Sequence, residues 1–79
     1  MIGHVPKIPM SAEQIARDLT DRIAAGEYGE PGSQLPTYAN LTGLYSVSES
    51  TITKVIGLLR ERGVVVGVPG RGTFVADQS

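Results

Sequence analysis

The chain has no cysteine and one histidine, His4. Without thiols there is no disulfide framework, no thiolate metal site and no cysteine nucleophile. One imidazole among the first few residues cannot assemble a catalytic triad or a multi-histidine metal site. No apolar run approaches the ~18 residues that cross a bilayer, and no secretory signal is present, so the cytoplasm is the expected location and no membrane partner is expected. An excess of positive charge is also missing. Seven Lys+Arg against eight Asp+Glu leave a net charge of −1, so no overall basic field announces a nucleic-acid partner. Any such role rests on how the charges are distributed.

What is present fits one small domain. The 79 residues are 41% hydrophobic, and a chain this short hides only about 60–65% of its unfolded surface, so the core must be used efficiently. Residues 1–10 read as an N-terminal arm, because Gly3, Pro6 and Pro9 interrupt any periodic element. Residues 11–76 form the domain and 77–79 a C-terminal tail. Ser11 and Gln14 make a capping-box pattern ahead of an apolar stripe of Ala12, Ile15, Ala16, Leu19 and Ile23. Gly26 stops this first helix, expected over Ala12 to Ala25. Its outer side pairs Glu13 with Arg17 and Asp18 with Arg22 at i,i+4.

A turn-rich connection with Gly29, Pro31 and Gly32 follows, and Leu35-Pro36 is suited to an edge contact with a sheet. Thr37 is positioned to cap a second helix over Tyr38 to Leu44, with Leu41 and Leu44 inward. After Tyr45-Ser46-Val47, Ser48 caps a third helix, to about residue 62. There Ile52, Val55, Ile56 and Leu59 give the clearest amphipathic signal in the chain. Beyond Gly63 the period changes. The β-branched run Val64 to Val68, the turn Pro69-Gly70-Arg71-Gly72 and the return Thr73-Phe74-Val75 make a hairpin, with Phe74 expected to contact the helices. Three helices and a two- or three-stranded wing, mainly α with a small β hairpin, describe a winged helix-turn-helix.

In that layout the second helix of the pair enters a major groove, braced by the first. At about 100° per residue from the apolar stripe, the outward side of the third helix holds Ser50, Thr53, Lys54, Gly57 and Glu61, flanked by Glu49 and Thr51. Most of these groups are small and polar and one is cationic. The helix N-terminus adds free backbone N–H groups suited to a phosphate. Small polar side chains on a helix are ordinarily just solvated surface; the combination is what points to docking. Gly57 costs about 1 kcal/mol against alanine in mid-helix, which suggests a close approach by another body. At the hairpin tip, Gly70-Arg71-Gly72 offers one guanidinium on a turn with little side-chain bulk, able to reach a phosphate or a minor groove. The alternative is that the glycines only satisfy turn dihedrals. No carboxylate pair has surroundings that would raise a pKa for acid–base work. Neither an enzymatic activity nor a cofactor or metal is expected.

The landmarks from Gln14-Ile15, through Pro31-Gly32, Leu35-Pro36-Thr37, Leu41, Val47-Ser48, Thr51-Ile52, Leu58-Leu59, Glu61 and Gly63, to Gly70-Arg71-Gly72-Thr73-Phe74-Val75 resemble the N-terminal DNA-binding domain of the GntR family of bacterial transcription regulators. The resemblance implies a third helix in the major groove and a wing at the minor groove of double-stranded DNA. It also implies palindromic or repeated half-sites bound by a homodimer, often for repression. Carried across, Ser48, Glu49, Ser50, Thr51, Thr53 and Lys54 would face the groove. Thr37 and Tyr38 would lie near the DNA backbone, and Gly70 and Arg71 at the wing tip. The chain departs from the family where arginines are common, at Ala39, Glu49 and Thr53, and where a basic pair gives way to Gly67-Val68. Fewer neutralised phosphates imply weaker affinity and a shallower salt dependence. With Ser79 ending the sequence, no small-molecule effector domain is expected in this chain, and a minimal stand-alone regulator is favoured over a piece cut from a larger one. The competing reading, motivated by the net charge and Glu49, is a protein-interaction module that kept the fold and lost the DNA.

Overall fold

Ser11 accepts a hydrogen bond from the Gln14 amide at 3.2 Å while Gln14 Oε1 accepts from the Ser11 amide at 2.9 Å, so the capping box predicted at the chain's first helix is complete. Helix α1 (Ala12–Ala24) starts there and ends one residue before the expected boundary, with Ala25 as its C-cap. Gly26, at φ 84°, supplies the left-handed turn that follows. The computed structural model describes residues 10–77. The expected arm up to Pro9, with His4 and Lys7, and the last two residues of the expected tail lie outside the described residues. Met10, assigned to the arm by sequence, packs against the core.

Thr37 accepts from the Asn40 amide at 3.1 Å and opens α2 (Tyr38–Tyr45), one residue longer than predicted. The turn to α3 (Glu49–Glu61) is made at Ser46, the one non-glycine residue among those described with a left-handed backbone, φ 55° and ψ 47°. Its neighbour Val47 donates to the Thr42 carbonyl at 3.2 Å, satisfying one of the carbonyls the helix end leaves unpaired. Ser48 caps α3 as the spacing predicts.

Strands β1 (Val65–Val68) and β2 (Gly72–Val75) pair antiparallel, with Val65 opposite Val75, Val66 opposite Phe74 and Val68 opposite Gly72. The edge contact expected around Leu35-Pro36 forms on the free side of β2. Leu35 N–H donates to the Thr73 carbonyl, Val75 N–H to the Ser33 carbonyl and Gly32 N–H to the Val75 carbonyl, each at 2.8 Å. Pro36, which has no N–H, falls just past this ladder. The sheet has two strands plus an isolated Gln34–Phe74 bridge.

The core joins four apolar stripes. Ile15, Ala16, Leu19 and Ile23 of α1 meet Ile52, Val55, Ile56 and Leu59 of α3, closed by Leu41 below and by Leu35, Val64, Val65 and Val75 at the wing base. Full burial of each large side chain contributes about 1.5–3 kcal/mol. Two sequence expectations are corrected. Leu44 is 50% exposed, not inward. Four residues past Leu41, Tyr45 takes the inner position on that short helix and packs on the core. Phe74 is not a contact between hairpin and helices. Side chains alternate across a strand, so buried Val75 places Phe74 on the outer face, where it is half-buried beside exposed Val66.

Candidate nucleic-acid interface

A cleft lined by Tyr38 of α2, Ile56 and Arg60 of α3 and residues 67–70, 72 and 73 of the wing adjoins the helix-turn-helix. Glu49, Ser50, Thr53 and Lys54 are exposed along α3, while Thr51 and Gly57 are half-buried. At the helix start the Ser48 hydroxyl caps the Thr51 amide and lies 3.0 Å from the Ser50 hydroxyl and 3.2 Å from that of Thr51. These hydroxyls hold one another in place. Thr53 donates back to the Glu49 carbonyl at 3.0 Å, which leaves its oxygen lone pairs and methyl outward, able to accept a hydrogen bond or touch an apolar group. Nothing lies within 4 Å of a Cβ built on Gly57. No approach by another part of the described chain therefore explains that glycine, and the helix surface there is open.

Thr37 is exposed as the α2 cap, and Tyr38, half-buried, borders the cleft between α3 and the wing. At the wing tip Arg71 N–H donates to the Val68 carbonyl at 2.9 Å, and Gly70 has φ 77°. With Pro69 before it, Gly70 holds the position of a β-turn that needs positive φ. Sequence reading missed the brace on this turn: Gln34 Nε2 donates to the Arg71 carbonyl at 2.9 Å, across 37 residues. Gly72 accommodates it, since a Cβ there would sit 2.8 Å from Gln34 Nε2.

The charges are segregated. On the α1 side, Arg17 faces Glu13 at 3.7 Å, and Arg22 meets Asp18 at 2.8 Å and Glu27 at 3.5 Å. Arg62 Nη2 donates to both oxygens of Glu13 at 2.8 Å. That bond to Arg62 is the main reason the Glu13 carboxyl is held below its ordinary range. The Asp18 carboxyl is lowered too, first by the Tyr45 hydroxyl and then by Arg22. Among the described residues no acidic side chain pairs with Lys54, Arg60 or Arg71. All three belong to α3 or the wing. The net charge thus conceals a division: half of the six described cations are matched by acids of α1 and the turn after it, and the other half, on α3 and the wing tip, have no acidic partner. Glu49 and Glu61 share α3 with them and keep that face mixed.

Among the described residues no group of three or more His, Cys, Asp or Glu could hold a metal ion, and no helix is long and apolar enough to cross a membrane. A braced wing beside a second helix with a polar, partly cationic outer face defines a winged helix-turn-helix domain. The family model for bacterial regulatory proteins of the gntR family matches residues 11–75, and the chain belongs to that family.

Among curated relatives, the chain is 42% identical over 64 residues to the "Probable fructoselysine utilization operon transcriptional repressor" of Escherichia coli K12, covering 81% of this chain and 26% of that one. It is 32% identical over 77 residues to the mannosyl-D-glycerate transport/metabolism system repressor MngR of the same organism, covering 98% and 30%. The chain therefore spans about a quarter of the length of the curated relatives it matches. The fold of YydK from Bacillus subtilis superposes with a TM-score of 0.80 at 33% identity, over 89% of this chain and 30% of that one. The DNA-binding domain of AraR in complex with operator ORX1 superposes with a TM-score of 0.78 at 32% identity, over 91% and 93%.

Proposed function

We propose that the chain is a sequence-specific DNA-binding transcription regulator, acting as a repressor by occupying its operator. Helix α3 lies in the major groove and the wing tip reaches the minor groove. The observation that carries this reading is the segregation of charge: Lys54, Arg60 and Arg71, the three cations without acidic partners among the described residues, all belong to α3 or the wing. The likeness to a domain solved on its operator supports it. Ser48, Glu49, Ser50, Thr51, Thr53 and Lys54 face base edges and phosphates, Thr37 and Tyr38 lie near the backbone, and Gly70 and Arg71 form the wing contact. Hydroxyls on a ridge this narrow can approach bases closely, and Glu49 can accept from a cytosine amino group. One such module buries only about 600–1,000 Å² on DNA, so two copies on palindromic or repeated half-sites are needed for tight specific binding.

Selection of duplexes from a random pool at two salt concentrations tests the reading, with sedimentation of the selected complex giving its stoichiometry. An enriched motif with two related halves is the expected result. A pool that remains unenriched at low salt would overturn it and leave the protein-interaction module as the explanation of the fold.

A further inference from the structure

Arg60 is the basic residue in the last turn of α3, where a cation suits the helix dipole. Its side chain does something more specific. It extends across the inner face of β1 and lies on Gly67: Arg60 Cζ and Nε are each 3.5 Å, and Nη1 3.8 Å, from where a Gly67 Cβ would stand. Gly67 has no positive φ to justify a glycine, and glycine weakens a strand. A Cβ here would meet the guanidinium only at ordinary contact distance, so glycine is not required to make room; it leaves the planar group lying on bare strand backbone. The result is a groove of about 310 Å³ between α3, α2 and the wing, lined by Tyr38, Ile56, Arg60, Gly67, Val68 and the Pro69-Gly70 turn among others. No acidic side chain lines it. Among the described residues neither the Arg60 guanidinium nor the Tyr38 hydroxyl has a side-chain partner. β1 itself, Val-Val-Gly-Val, carries no cation.

Arg60 lies two turns beyond Thr53 on the same side of α3, which places the groove between the helix face and the wing tip that carries Arg71. We propose that this groove seats one phosphodiester group of the bound DNA, with Arg60 as its cation and the Tyr38 hydroxyl as a second donor. The seat rests on the DNA-binding reading above. It adds a contact beyond the groove-facing positions named above, made where the end of α3 meets the wing. A guanidinium suits the role because its planar fork matches phosphate oxygens and is only weakly hydrated. The contact is blind to base identity, so it adds affinity to every duplex alike.

The experiment measures duplex affinity against salt for the wild-type chain, for Arg60→Met, which keeps an apolar stem of similar reach without the charge, and for Arg60→Met combined with Gly67→Arg. The expected result is that Arg60→Met weakens selected and unrelated duplexes alike by about fivefold at 0.15 M salt and lowers the slope of log K against log [salt] by about 0.9. The thermal melt of the free protein should remain close to wild type. The double variant, supplying the cation from the strand, should recover the slope. Unchanged affinity and slope in Arg60→Met, while the wild type binds, overturn the seat and leave the DNA-binding reading standing. A double variant that stays at the lower slope overturns the placement of the phosphate over Gly67. Wild-type protein that binds no duplex overturns both readings.

Discussion

The Tyr45 hydroxyl donates to the Asp18 carboxylate at 2.6 Å, on the same oxygen that Arg22 reaches at 2.8 Å. This contact ties the end of α2, and so the helix-turn-helix, to the middle of α1 across 27 residues. Its strength depends on one partner being ionised and the other not. The Asp18 carboxyl is lowered, chiefly by Tyr45, and burial together with Asp18 pushes the Tyr45 phenol up beyond the usual tyrosine range.

The sign of the pH dependence follows. A lowered carboxyl contributes stability above its unfolded pKa, near 4, and loses it as pH falls through the folded value. A raised phenol contributes below about pH 10 and loses its share as pH rises further. Tyr45→Phe should therefore cost about 1–2 kcal/mol near neutrality and flatten both limbs of the stability–pH curve. Denaturant melts between pH 3 and pH 11 check this; parallel wild-type and mutant curves would show that the bond adds nothing.

Arg71→Ala should weaken binding to all duplexes, because a tip guanidinium meets the backbone or an undifferentiated minor groove. Ser50→Ala or Thr53→Ala should instead change the ranking of sites, by about 1–3 kcal/mol at the affected base pair. Gel-shift titration on a panel of single-base variants separates the two patterns. Uniform losses for Thr53→Ala would remove it from base readout.

Glu49 is exposed at the first turn of α3, where a carboxylate suits the helix dipole but repels phosphates. Glu49→Gln should cost the free protein no more than about 1 kcal/mol while raising affinity for unselected duplexes. If Glu49 accepts from a cytosine amino group, the same change relaxes preference at one position. Paired melts and titrations read both effects, and tighter binding without altered preference would make the residue a pure repulsive element.

Gly72→Ala tests the brace on the wing. At φ 119° an alanine is strained, and its Cβ would displace Gln34 from the Arg71 carbonyl. A loss of about 1–3 kcal/mol is expected. Gln34→Ala should cost less but mobilise the same tip, visible as faster amide exchange at Arg71. Unaltered exchange in Gln34→Ala would mean that the turn holds itself.

The residues that sequence reading located well are those whose structure is decided locally. Ser11, Thr37 and Ser48 cap helices through bonds three residues away, and the apolar stripes of α1 and α3 face inward because their periods match a helix. Pro69-Gly70 sets the turn through its own dihedrals. The order of these elements, with the gntR landmarks, was enough to indicate a winged helix-turn-helix.

What only the tertiary structure decided is which charges remain available. Arg62 and Arg60 are two residues apart and alike in sequence, yet Arg62 is bound to Glu13, 49 residues away, while Arg60 lies on a glycine of the wing. Leu44 faces solvent, and the inner place goes to Tyr45, four residues past Leu41, where an aspartate on another helix offers the tyrosine a partner. Periodicity records which side of an element is apolar, since that depends on a residue's own neighbours. It carries no record of which distant side chain meets a polar group. Here those meetings engage Arg17, Arg22 and Arg62 with acids of α1 and its following turn and leave Lys54, Arg60 and Arg71 without an acidic partner among the described residues.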